Sequence, residues 1–192
     1  MGKFGFYFDQ TSCTGCRTCQ VACCDKNDLE ATMLFRGVRD FETGEYPNGG
    51  YYHMSMACNH CENPACVAAC TTGAMFVSED GTVQHDDALC DGCQNCVMAC
   101  PYGQPQYIEE KNVVHKCDSC KVLRDMGEQP ACVAACLMRC LEFGDLDELK
   151  AKHQGEDLVQ ELACLPEAIT KPSILIRPRA AAKEADFAEI LI

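Results

Sequence analysis

Four groups of closely spaced cysteines constrain the fold of this chain more than any other feature. Sixteen of the 19 cysteines fall into these groups. The first and third groups read C-x2-C-x2-C-x3-C, the second C-x2-C-x4-C-x3-C and the fourth C-x2-C-x11-C-x3-C. All four open with CxxC and close with CxxxC, so one unit occurs four times with loop insertions. The groups are Cys13, Cys16, Cys19, Cys23; Cys58, Cys61, Cys66, Cys70; Cys90, Cys93, Cys96, Cys100; and Cys117, Cys120, Cys132, Cys136.

A cysteine-rich chain can be a disulfide scaffold, a zinc protein or an iron-sulfur protein. Disulfides are disfavoured by the odd cysteine count, by close spacing along single loops and by an N-terminus that lacks a signal-peptide pattern. Structural zinc sites typically use two CxxC pairs separated by a dozen or more residues. Three cysteines at C-x2-C-x2-C suit three corners of a cubane, so the spacing predicts 4Fe-4S clusters.

The same spacing predicts which cysteines share a cluster. In two-cluster bacterial ferredoxins, the fourth cysteine of each run ligates the other cluster. The second and third groups are a hairpin's length apart, which predicts one such unit, and the first and fourth groups then form another around it. Iron is therefore expected in four 4Fe-4S clusters. The predicted ligands are Cys13, Cys16, Cys19 and Cys136 (cluster 1); Cys23, Cys117, Cys120 and Cys132 (cluster 2); Cys58, Cys61, Cys66 and Cys100 (cluster 3); and Cys70, Cys90, Cys93 and Cys96 (cluster 4).

Three cysteines remain outside these sets. Cys24, Cys140 and Cys164 are interpreted as small buried side chains or unused thiols, with no ligand role. The five histidines do not recur at fixed offsets from the cysteine groups, which favours structural roles. His60 lies inside the second group, where it could instead donate to a cluster sulfur and tune its potential. No catalytic residue is predicted.

The segments between the cysteines predict short strands alternating with short helices, and hence an α+β fold. Residues 74–85 and 106–115 each have the pattern of a β-hairpin. Single helical turns are predicted at the ends of the last three cysteine groups. A further short helix is expected over 145–153, with Asp145 as its N-cap.

These elements predict two ferredoxin-like two-cluster units, one inserted within the other, with long loops and an extended C-terminal tail. The outer unit takes residues 1–26 and 101–145, and the inserted unit takes residues 53–100. Residues 27–52 contain a glycine- and proline-rich stretch and are predicted to form a surface excursion with one strand at each end. Residues 146–192 are predicted to form the short helix and an extended tail that binds a partner.

The net charge of the chain limits the classes of partner that it can bind. Its 29 acidic and 16 basic residues give a formal net charge of -13. Nucleic acid is excluded as a partner, because phosphate binding needs clustered lysine and arginine. The sequence also contains no run of about eighteen apolar residues, so no membrane span is expected.

The order of the four groups and several local motifs resemble the iron-sulfur electron-transfer subunit of the DMSO reductase family of molybdenum enzymes. The motifs are Cys58–Cys66, Cys100–Gly103, Lys116–Asp118 and Arg139–Asp145. The resemblance implies a non-catalytic subunit that pairs with a large catalytic chain holding molybdopterin, as a bis-pyranopterin guanine dinucleotide cofactor of molybdenum or tungsten. A membrane quinol-oxidising subunit or a soluble electron donor would be the further partner.

The resemblance also implies where the ends of the electron path lie. Cluster 4, with Cys93 as a ligand, would be farthest from the pterin, and cluster 1 would be nearest.

The alternative functions are a polyferredoxin subunit of a hydrogenase or formate hydrogenlyase complex, and a free-standing polyferredoxin. The expected location is the cytoplasm, because three spare thiols suit a reducing compartment. Export together with a signal-bearing catalytic partner is the alternative.

Overall fold

Short strands and short helices alternate along the chain, and the mixed α+β class is confirmed. The computed structural model describes residues 2–190. The strands are β1 (Phe4–Asp9), β2 (Arg36–Thr43), β3 (Gly50–Ala57), β4 (Met75–Val77), β5 (Val83–His85), β6 (Gln106–Ile108), β7 (Val113–His115), β8 (Leu141–Asp145), β9 (Ile174–Arg177) and β10 (Phe187–Ile190). The α-helices are α1 (Thr18–Asn27), α2 (Ala65–Ala68), α3 (Asn95–Ala99), α4 (Lys121–Asp125), α5 (Ala131–Ala134) and α6 (Leu146–Lys152).

A three-stranded sheet joins the beginning of the chain to its C-terminal region. Its order is β8-β1-β9, with β1 antiparallel to β8 and parallel to β9. Successive side chains of a strand point to opposite faces. Phe6 and Phe8 accordingly pack into the core that contains the cysteines, whereas Tyr7 packs with Leu146 and Leu149 of α6. The sheet therefore separates the cysteine-rich interior from α6.

The stretch around β9 corrects the prediction of a partner-binding tail. Its extended conformation is as expected, but Ile174, Leu175 and Ile176 are buried in this chain's own sheet. A short apolar run is what a strand covered on both faces requires, so the expectation that these residues lie on another chain is wrong. Further along, β10 pairs with β2. Residues 191–192 of the predicted tail lie outside the described residues.

A second sheet corrects the prediction of a surface excursion. Its order is β10-β2-β3, and β2 pairs with β3 along its whole length, from Arg36 opposite Ala57 to Thr43 opposite Gly50. Phe41 and Tyr52 stack at 5.1 Å between ring centroids and are almost fully buried. The glycines and proline that suggested a loop belong only to the connection between the strands.

The elements predicted beside the cysteines are present. Both hairpins form, β4 with β5 and β6 with β7. The predicted helical turns correspond to α2, α3 and α5, each beginning about two residues before the predicted position, because Pro64 and Pro130 directly precede α2 and α5. The predicted cap of α6 is confirmed: Asp145 Oδ1 accepts from the N–H groups of Asp147 and Glu148 at 2.9 and 3.2 Å.

Cysteines and hydrocarbon side chains share one interior. The largest buried cluster combines aromatic residues such as Phe8 and Tyr52 with cysteines from the first, second and fourth groups. A smaller cluster places Cys66 and Cys96 against Met75 and Val83 of the first hairpin. Of the helices in residues 2–190, none has both the length and the apolar character needed to cross a membrane.

Candidate metal centres

One enclosed cavity is built by the first and fourth cysteine groups. Cys13, Cys16 and Cys19 line it from the first group and Cys136 from the fourth. Cys140 is a fifth thiol in the same wall. The sheets supply the rest of the lining, through Phe8, Val38, Ser55 and Leu141. This cavity contains all four predicted ligands of cluster 1.

A second enclosed cavity is built by the second and third groups. Cys58, Cys61 and Cys66 line it together with Cys100. Thr170 also lines this cavity, and its hydroxyl donates to Cys61 Sγ at 3.2 Å. The four predicted ligands of cluster 3 therefore line one cavity.

The predicted ligands of cluster 2 lie between α1, α4 and α5. All four are buried. Burial raises the pKa of Cys23 to about 12, and the nearby charge of Cys132 adds to this effect. Burial also raises the pKa of Cys117 well above its usual value, with a further contribution from Cys23. Thiols that influence one another in this way suit a site where bound metal keeps them as thiolates.

The predicted ligands of cluster 4 are partly exposed. Burial raises the pKa of Cys96, and the charges of Cys70 and Cys90 raise it further, so these three sulfurs are neighbours. Cys93 lies at the surface of the same loop, where its backbone N–H donates to Asp91 Oδ1 at 3.1 Å. This set is the most accessible to solvent of the four.

The first and third cysteine loops have the same backbone form. Gly15 and Gly92 have φ of +66° and +72°, and Arg17 and Gln94, which precede the helices, have φ of +60° and +61°. A Cβ on Gly92 would lie 2.7 Å from the backbone oxygen of Asn112. Left-handed residues in tight loops gather backbone N–H groups into concavities that bind anions. The repeated loop therefore suits a sulfide-rich, anionic group.

The donor set fits 4Fe-4S clusters. Cysteine thiolates are the usual ligands of these clusters, and each of the two cavities presents four of them from two different groups. A single zinc ion would draw four sulfurs to about 2.3 Å from one point. In each cavity the fourth cysteine comes from another group, as in two-cluster ferredoxins, and this exchange favours a cubane over a zinc ion.

Comparison with known proteins agrees with this chemistry. Residues 50–146 match the family model of a 4Fe-4S dicluster domain. The chain is 44% identical over 187 residues to the B subunit of anaerobic dimethyl sulfoxide reductase of Escherichia coli K12, an alignment that covers 93% of this chain and 90% of that protein. It belongs to the family of iron-sulfur subunits of anaerobic reductases.

Two further relatives have lower sequence identity. The chain is 40% identical to the B subunit of anaerobic dimethyl sulfoxide reductase of Haemophilus influenzae, over 93% of this chain and 90% of that protein. It is 34% identical to the B subunit of polysulfide reductase of Wolinella succinogenes, over 92% of each. The protein is thus an electron-transfer subunit of an oxidoreductase complex and is not the catalytic chain.

Arg36 is a candidate functional residue that no sequence motif identifies. Arg36 is 2% exposed, and its Nη1 donates to Ser55 Oγ at 3.0 Å. Ser55 Oγ in turn lies 3.5 Å from Cys19 Sγ. Burial alone lowers the pKa of the guanidinium, but the charges of Cys132, Cys117 and other nearby cysteines raise it above its usual value. Arg36 is therefore a fixed positive charge between the predicted sites of clusters 1 and 2.

The histidines have protein partners. His60 is fully buried and its Nδ1 accepts from the N–H of Val83 at 3.0 Å. Burial lowers the pKa of His60 well below 6.5, so the ring is neutral and carries its proton on Nε2. The potential-tuning role suggested by the sequence stays a prediction. The other four each contact a carboxylate, in the pairs His53–Asp40, His85–Asp87, His115–Asp87 and His153–Glu142.

The three cysteines without a predicted role differ in their surroundings. Cys24 is half-buried on α1, where burial raises its pKa. Cys164 is also half-buried, and burial raises its pKa. Cys140, in contrast, lies in the first cavity. Sequence spacing missed it because its position, four residues after Cys136, matches no ligand spacing.

Proposed function

We propose that this subunit holds four 4Fe-4S clusters on its sixteen grouped cysteines and relays electrons for a catalytic partner. The observation that carries the proposal is the pair of enclosed cavities, each lined by three cysteines of one group and the closing cysteine of another. This exchange of the fourth ligand is what paired cubanes in ferredoxins require. Cluster 1 would use the first cavity and cluster 3 the second.

Burial and charge support the other two ligand sets. The thiols proposed for cluster 2 are all buried, and they alter one another's pKa. For cluster 4, the same mutual effect links Cys70, Cys90 and Cys96. We assign Cys93 to cluster 4 as well, because its loop has the same backbone form as the loop of Cys16 in the first group.

The packing of the helices supports two nested ferredoxin-like units. Helix α1 of the first group packs against α5 of the fourth, and α2 of the second group packs against α3 of the third. The proposed inserted unit is residues 53–100, and the outer unit is residues 1–26 with 101–145. The sheet formed by β8, β1 and β9 then closes the outer unit behind its cysteines.

The chain's own residues would hold and tune the proposed centres. Bound 4Fe-4S clusters supply one-electron redox chemistry. The protein buries all four thiols proposed for cluster 2, and it places the charge of Arg36 near thiols of clusters 1 and 2. Donors such as Thr170 Oγ1 to Cys61 Sγ and the N–H of Met75 to Cys70 Sγ stabilise negative charge on sulfur.

We propose a large catalytic subunit that contains molybdopterin as the direct partner. The support is the high similarity to the B subunits of dimethyl sulfoxide reductase and polysulfide reductase, over almost the whole sequence. A membrane quinol-oxidising subunit or a soluble electron donor would complete the electron path. A hydrogenase-type complex is the alternative. We propose a cytoplasmic location, since three thiols outside the ligand sets suit a reducing compartment.

Affinity purification of the chain from its native biomass under anaerobic conditions tests this partner. A large subunit should copurify, and the extracted complex should contain a pterin cofactor with molybdenum or tungsten in about equal molar amount with this chain. Copurification of a nickel-iron subunit without pterin would favour the hydrogenase-type alternative. Isolation of this chain alone, with its iron intact, would contradict a permanent complex.

A further inference from the structure

Cys140 is the fifth sulfur of the cavity that we assign to cluster 1. Its side chain is 4% exposed, and it lines the cavity beside the four assigned ligands. Its Sγ lies 3.5 Å from Cys136 Sγ, within hydrogen-bonding distance for two sulfurs. Cys13, another of the assigned ligands, lines the same cavity. Cys140 is thus not an isolated thiol but part of a five-sulfur site.

The backbone holds this fifth thiol in place. Cys140 directly precedes β8, and its carbonyl accepts from the N–H of Asp9 at 2.9 Å. The next residue, Leu141, pairs with Phe8 in the central sheet. A side chain on a rigid strand end keeps its direction better than one on a free loop. The approach of Cys140 to Cys136 is therefore built into the fold.

The second cavity provides a natural comparison. It is lined by Cys58, Cys61, Cys66 and Cys100, and these four are the only cysteines in the lining that the structure describes. Cys100 and Cys136 occupy the same place in their groups, as the closing cysteine of a CxxxC pair. The two cavities thus differ in one respect that matters for ligation: only the first has a spare thiol beside its closing cysteine.

We propose that Cys136 and Cys140 share one iron corner of cluster 1: one sulfur binds the iron while the other, as a thiol, donates its S–H to the bound thiolate. This inference rests on the proposed function of the cavity. Exchange breaks the iron bond to one sulfur and forms the bond to the other. The proton of the incoming thiol passes to the departing thiolate, and no electron is transferred. Two thiolates 3.5 Å apart in a buried site would repel, so one of the pair keeps its proton.

The test compares iron content in four variants of the anaerobically purified complex: Cys136→Ala, Cys140→Ala, the double variant, and Cys100→Ala as the matched control. Cys136→Ala should keep about sixteen iron per chain, because Cys140 takes the vacant corner. The double variant and Cys100→Ala should each lose at least one iron and show a 3Fe-4S signal in EPR of the oxidised protein. Loss of iron from Cys136→Ala equal to that from Cys100→Ala would overturn the proposal.

A second measurement applies even if Cys136→Ala fails to assemble. Cys140→Ala keeps every assigned ligand but removes the S–H donor, so the midpoint potential of one cluster should fall while the other three stay unchanged. Four unchanged potentials would contradict the shared corner. The wild-type complex distinguishes this failure from failure of the proposed function, since absence of four cubanes there would reject the clusters themselves.

Discussion

At the scale of single residues, the buried charge of Arg36 beside the proposed clusters leads to a specific prediction. A fixed positive charge stabilises the more negative, reduced form of a nearby centre. Arg36→Met should therefore lower the midpoint potential of cluster 1 or cluster 2, by on the order of 60 mV for a tenfold change in a one-electron equilibrium. EPR-monitored redox titration measures this shift.

Arg39→Met is the matched control for this substitution. Arg39 lies on the same strand but its side chain is 56% exposed, so solvent screens its charge. All four potentials should stay within error in that variant. Equal shifts in both variants would show that the effect of Arg36 comes from the net charge of the chain and not from its buried position.

Cys93 gives a second prediction at this scale. Because this thiol lies at the surface, replacing it leaves one iron corner of cluster 4 open to solvent and labile. Cys93→Ser should convert that cluster to 3Fe-4S, seen as a new EPR signal in the oxidised protein and a loss of about one iron per chain. Cys24→Ser, which removes a thiol outside the ligand sets, should show neither change. Four unaltered cubanes in Cys93→Ser would contradict its assignment.

Residues whose role depends on local spacing could be predicted from the sequence. Residues whose role depends on packing between distant segments could not. The cysteine groups were visible because a cubane loop fits only a few spacings. Arg36 was not, since its role depends on Ser55 and on cysteines from distant groups. Cys140 was missed for another reason: it lies only four residues after Cys136, but its position matches no ligand spacing.

At the scale of elements, features that depend on residues close in sequence were predicted. Pairing between strands that are distant in sequence was not. The hairpin of β4 and β5 and the cap of α6 follow from turn and capping residues that are close in sequence. Strand β9 pairs with β1, more than 160 residues away, and no local pattern could show this. A strand was expected at each end of residues 27–52, and β2 and β3 are present, but the glycine-rich connection gave no sign that they pair along their whole length.

The buried position of β9 predicts the effect of truncation. Deleting residues 172–192 removes three buried aliphatic side chains from the central sheet. At roughly 1.5 to 3 kcal/mol for each, the loss is comparable to the whole stability of an ordinary domain. The protein should be insoluble or should lose iron. It also loses the segment next to Thr170, whose hydroxyl donates to Cys61 Sγ.

A shorter truncation provides the control. Deleting residues 184–192 removes β10 but keeps β9 in the central sheet. Iron content per chain should then stay close to that of the intact protein, as measured by colorimetric assay after anaerobic purification. Full iron loading after the longer deletion would show that β9 is dispensable for holding the clusters.

At the scale of the whole molecule, the cysteines are both the candidate site and much of the interior. The main buried cluster mixes thiols from three groups with aromatic and aliphatic side chains, in a chain without tryptophan. A core of this kind depends on what the thiols bind, because metal binding contributes to folding free energy where ligands would otherwise be buried thiols. The same cysteines therefore form part of the interior of the fold and the proposed path of the electrons. In the proposed complex, the catalytic reaction takes place on the partner chain.

The number and type of metal centres test this account most directly. Anaerobically purified protein should contain about sixteen iron and about sixteen acid-labile sulfide per chain, four of each for every cubane on sixteen cysteines. Iron and sulfide analysis, normalised to protein by amino-acid analysis, gives both values from one sample. About four zinc per chain with little sulfide would contradict the account.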